Sequence, residues 1–114
     1  MSYPISPSQV EREDLTDSAR HLYDCLRRAG EEPGDAMQTL FQICAEEGGA
    51  RHGRSSMRLP TLQKTRERAA RRIAKTMIAR GKPDRSVQNA TGVSSETIRV
   101  IKRELDEEMA AEDA

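Results

Sequence analysis

Tryptophan is absent from this 114-residue chain, which has one phenylalanine and two tyrosines. A core must be built from Leu, Ile, Val, Met and Ala, and hydrophobic residues make up only 35% of the sequence. So thin a core is commonly completed by burying apolar surface against a second subunit, and a homodimer is expected. The length suits one compact domain or two small lobes and leaves no room for a large catalytic domain. Cys25 and Cys44 are far apart in apolar helical stripes, without a Cys or His cluster, which favours small buried side chains over a disulfide or metal role. No run approaches the ~18 consecutive apolar residues of a membrane span, and Met1-Ser2-Tyr3-Pro4 lacks the basic-then-apolar layout of a signal peptide. A cytoplasmic protein with no membrane partner is expected.

Histidine is equally scarce. His21 and His52 are isolated, with no orienting carboxylate that sequence can identify, and neither a phosphate-cradling glycine loop nor a metal-ligand spacing is present. No enzyme activity and no cofactor are expected.

What the chain does have is segregated charge behind a net charge of zero. Residues 1–50 hold ten acids and four bases, residues 51–103 fifteen bases and three acids, and residues 104–114 six acids and no base. A strongly cationic block between two acidic ends is the electrostatic footprint of a polyanion-binding surface. The competing explanation is a set of solvated helix faces. Because the block contains no aromatic residue on which bases could stack, duplex DNA is favoured over RNA.

Along the chain, residues 1–12, with Pro4, Pro7 and three serines, read as a flexible arm. Leu15, Ala19, Leu22 and Leu26, with Cys25 and Ala29 alongside, form a helical stripe that Gly30 can close. After the turn at Glu31-Glu32-Pro33-Gly34, Asp35 is placed to cap a second helix. Ala36, Met37, Leu40, Phe41, Ile43 and Cys44 crowd that helix on more than one side, as burial against two partners requires, and Gly48-Gly49 stops it. Residues 13–60 are read as a helical dimerisation region, in which Met57-Arg58-Leu59 before Pro60 is either a short strand near 56–59 or an extended lead-in to the next helix. Arg51, Arg54 and Arg58 in this stretch are candidate DNA-backbone contacts, the competing reading being a solvated loop. A long helix over 61–80 has Leu62, Ala69, Ile73 and Met77 on one face, Ile78 beside them, and Lys64, Arg66, Arg68, Arg71, Arg72 and Lys75 elsewhere. Residues 61–105 form the DNA-binding region and 106–114 an acidic tail that frays from the last helix. The fold class is all-α.

Residues 84–103 carry the functional signal. Val87, Gly92, Val93, Ile98 and Ile101 have the spacing of a helix-turn-helix: Val87 inside the first helix, Gly92 at the turn, Val93 in the angle, and Ile98 and Ile101 returning the second helix to the core. Ser94 caps the second helix. Ser95, Glu96, Arg99 and Arg103 then project outward, flanked by Thr97, Val100 and Lys102. Short polar residues at the helix start can meet base edges, Arg99 can reach guanine O6 and N7, and Lys102 and Arg103 suit phosphate. Arg85 and Ser86, early in the first helix, suit the DNA backbone. Gln88 stands where close helix approach favours alanine, so Ala90 is expected to supply the small contact. Thr91 stands where an apolar residue is usual.

The order Phe41-Gln42-Ile43-Cys44-Ala45-Glu46-Glu47-Gly48-Gly49, an extended segment ending Met57-Arg58-Leu59-Pro60, a charged helix and Thr91-Gly92-Val93-Ser94-Ser95-Glu96-Thr97-Ile98 resembles the Mor and C transcription activators of Mu-like phages over residues 15–105. The resemblance implies a homodimer whose N-terminal helices and strand form the dimer core, with two helix-turn-helix units gripping adjacent DNA grooves. It also makes RNA polymerase a candidate partner. The helix-turn-helix alone resembles the DNA-binding ends of resolvases and invertases, whose catalytic domain has no counterpart here. The alternative is a phage or plasmid interaction module that docks on a host protein through its acidic N-terminal half.

Overall fold

A computed structural model of the chain describes residues 3–47 and 62–113. Five α-helices are formed among the described residues: α1 (Asp17–Arg28), α2 (Pro33–Glu47), α3 (Gln63–Ala79), α4 (Asp84–Thr91) and α5 (Ser95–Asp113). They contain no strand, and the fold is all-α. The strand expected near 56–59, the Gly48-Gly49 stop, and Arg51, His52, Arg54 and Arg58 lie outside the described residues. The chain divides into two compact units, Ile5–Ala69 and Met1–Pro4 with Ala70–Ala114, the division falling within α3.

In the Ile5–Ala69 unit the expected free arm is structured. Two 3-10 turns, Pro7–Gln9 and Arg12–Asp14, precede α1. Each is tied by a reach-back bond to its leading backbone N–H: Ser6 N–H donates to Gln9 Oε1 at 2.9 Å and Glu11 N–H to Asp14 Oδ2 at 2.9 Å. Ile5 and Val10 are buried, and the first turn packs on α2. These two apolar residues, spaced too irregularly to register as a helix or a strand, are what hold the segment down.

α1 packs on α2; Ala19 and Tyr23 are buried, while Leu22, Cys25 and Leu26 are half-buried and Ala29 is exposed. The inward face is thus rotated from the expected leucine stripe toward Tyr23, whose ring carries a large apolar area. Cys25 is not the buried side chain expected, whereas Cys44 is, and burial pushes its thiol pKa up. α2 begins at Pro33, a favoured first helical position because proline has no N–H to leave unpaired. Asp35 therefore sits inside the first turn instead of capping it, where its charge still opposes the positive end of the helix. Ala36, Met37, Leu40, Phe41 and Cys44 are buried and Ile43 half-buried. Leu40, with no exposed surface, contributes about 1.5–3 kcal/mol by burial alone.

Several of the described arginines in this unit serve the fold. The Arg12 guanidinium grips Asp24 through two bonds of 3.0 and 2.9 Å. Arg20 and Arg68 both donate to the Leu15 carbonyl, at 3.1 and 3.3 Å. Arg66 lies over the Phe41 ring, 5.1 Å from its centre, beside a small cavity of about 220 Å³ lined by Cys44 and Leu62.

Candidate nucleic-acid interface

In the other unit, α3 turns toward its neighbours a face that large apolar residues alone do not mark. Ala70 and Ala74 are fully buried, and Ile73, Met77 and Ile78 only half-buried. Gly81 closes the helix at φ +79°.

α4 and α5 pack together across the Gly92 turn. Val87 is fully buried, and Val93, Ile98 and Ile101 are buried with it. Gly92 takes φ +76°, a conformation that strains any side chain, and its N–H donates to the Gln88 carbonyl at 2.8 Å. Thr91 is fully buried, and its polarity is used: Oγ1 donates to the Val87 carbonyl at 2.7 Å and accepts from the Val93 N–H at 3.4 Å. A hydroxyl thus stitches the last turn of α4 to the residue that plugs the angle. Ala90 is exposed, which corrects its expected role as the small contact, and Gln88 is accommodated half-buried.

Ser94 caps α5 as expected, accepting from the Thr97 N–H at 3.2 Å while its Oγ lies 3.0 Å from Thr97 Oγ1. Beyond the cap, Ser95, Glu96, Arg99 and Arg103 are exposed and Thr97 and Val100 half-buried. Arg85 and Ser86, in the first turn of α4, are also exposed. Among the described residues, Arg85, Arg99 and Arg103 have no hydrogen-bond or ion-pair partner. Lys102 differs, because its Nζ pairs with Asp84 Oδ1 at 2.7 Å and braces the start of α4 against α5. A phosphate contact by Lys102 would have to displace that carboxylate.

The acidic end is continuous with the same helix. α5 runs unbroken to Asp113, so residues 106–113 extend it instead of fraying from it. Glu108 Oε1 accepts from Lys75 Nζ at 2.7 Å, and this hydrogen bond raises the lysine pKa. Of the six cations expected on α3, Arg66, Arg68 and Lys75 are engaged by Phe41, the Leu15 carbonyl and Glu108. Arg72 is partnered too, whereas Lys64 and Arg71 are exposed without a partner among the described residues. The cationic block is therefore part packing device and part open surface, and the open part includes Arg85, Arg99 and Arg103.

One contact has no sequence signal. Pro4 Cδ lies 2.8 Å, and Tyr3 Cα and Cδ1 3.5 Å, from where a Cβ on Gly92 would stand. Residues some ninety positions apart meet at the turn because the glycine leaves space there.

Among the described residues no helix is long and apolar enough to cross a membrane, and no group of three or more His, Cys, Asp or Glu side chains could hold a metal ion. No family model, curated protein or solved structure matches this chain.

Proposed function

We propose that this protein is a cytoplasmic transcription regulator that binds double-stranded DNA as a homodimer through α4, the Gly92 turn and α5. The observation that carries the reading is the division of α5 into two sides: Ile98 and Ile101 buried, Arg99 and Arg103 exposed and partnerless among the described residues. An exposed guanidinium pair has no role in the unit's own packing, whereas a duplex gives it one.

In this mechanism α5 enters the major groove by its N-terminal end. Ser95 and Glu96 meet base edges without steric conflict, and Arg99, one turn on, offers two N–H donors to guanine O6 and N7. Arg103, with Arg85 and Ser86 at the start of α4, holds phosphate and fixes register. Support for a second subunit comes from Leu22, Leu26 and Ile43, large apolar residues left half-buried in the single chain.

Selection of bound sites from a random duplex library tests the reading. A dimer with two reading heads should recover an inverted repeat whose half-sites are ~34–36 Å apart. Recovery of no enriched sequence would remove sequence-specific recognition from the account.

A further inference from the structure

We propose that Tyr3 belongs to the reading head as a DNA-backbone contact, held in place by the seating of Tyr3-Pro4 on Gly92. The inference rests on reading α4 and α5 as that head. Its basis is the absence of a side chain at Gly92: Pro4 Cδ stands 2.8 Å from where a β-carbon would be, too close for one, and Tyr3 Cδ1 lies at ordinary contact distance from the same point, 3.5 Å. Gly92 therefore meets two demands, a left-handed turn and a slot for another segment of chain.

The position of that slot gives it a functional sense. Gly92 stands three residues before Ser95 and two before the Ser94 cap, at the N-terminal end of α5, the end that the proposed reading sends into the groove. A segment lying across the turn borders the rim of that groove, where the sugar-phosphate strand passes. Of the three aromatic residues, Phe41 and Tyr23 are buried, while Tyr3 is half-buried with no hydrogen-bond partner among the described residues. A tyrosine with its ring against backbone and its phenol unengaged suits phosphate: the ring supplies area, and the hydroxyl donates to an anionic oxygen without adding charge.

The test uses the full chain with Tyr3→Phe and Tyr3→Ala, read by titration of a labelled duplex over a range of salt, with Arg99→Ala in parallel. Both Tyr3 variants should weaken binding by about three- to tenfold, on the scale of one hydrogen bond to a charged acceptor. Their salt slope should match the wild type's, because a phenol releases no counterion. Circular dichroism and thermal melting confirm that Tyr3→Phe keeps the fold. Unchanged affinity in both Tyr3 variants while Arg99→Ala still weakens binding would overturn the Tyr3 assignment alone. Tighter binding by Tyr3→Ala would overturn it in favour of a segment that shields the turn. If the wild type binds no duplex at low salt, this inference and the reading beneath it fail together.

Discussion

The two units use the same residue type for different ends. In Ile5–Ala69, arginines are drawn into the architecture: Arg12 grips Asp24, Arg20 and Arg68 converge on one carbonyl, and Arg66 covers Phe41. In the unit containing α4 and α5, Arg85, Arg99 and Arg103 stand exposed with no partner among the described residues. Counting cations along a sequence cannot separate these uses, since both raise local charge equally. What separates them is whether an acceptor or a ring lies within reach, and that is set by tertiary packing.

The largest effects should come from the two cores. Leu40→Ala and Ile98→Ala each empty a site with almost no exposed surface and should cost about 2–5 kcal/mol in urea unfolding. Below the melting temperature of both, Ile98→Ala should also weaken duplex binding, because Ile98 fixes the angle of α5. Equal loss of binding from Leu40→Ala would erase the distinction between the units.

Next is the turn. Gly92→Ala forces a side chain into φ +76° and against Pro4, and should cost about 1–3 kcal/mol by thermal unfolding. A neutral result would mean that the turn and its neighbouring segment yield freely. Thr91→Val keeps the shape of the site but removes the bond to the Val87 carbonyl and leaves the Val93 N–H unpaired. About 1–2 kcal/mol should be lost, and a stabilised variant would show that the hydroxyl is tolerated, not used.

The smallest effect belongs to the surface pair of the other unit. The hydrogen bond from Arg12 holds the Asp24 carboxyl below its ordinary range. A carboxylate with a lowered folded pKa adds stability above its unfolded pKa and loses it as pH falls through the folded value. Arg12→Ala should move the Asp24 titration, followed by NMR, back up toward the ordinary range and flatten acid sensitivity in that window. An unmoved titration would mean that the pair does not persist in solution.

Much of the α4–α5 pair was legible because its signals are local. A glycine at the turn, a serine cap and branched apolar residues at fixed offsets each act within a few residues, and Gly92, Ser94, Val87, Val93, Ile98 and Ile101 all stand where those offsets place them. The rest depends on distant partners. Tyr23 is buried where Leu22 is only half-buried, and Ala70 and Ala74 are too small to mark a stripe although both are fully buried. Lys102 meets Asp84 across the turn, and Ile5 and Val10 turn an expected free arm into packed structure. None of these has a repeat in the sequence by which it could be read.

The central claim is that the exposed edge of α5 is a duplex-binding surface. Its most direct test is the salt dependence of duplex affinity for the wild type and for Arg103→Ala. Wild-type affinity should fall steeply as salt rises, and Arg103→Ala should weaken binding while reducing the slope of log affinity against log salt by about 1. No binding at low salt, or the same slope in both proteins, would contradict the claim.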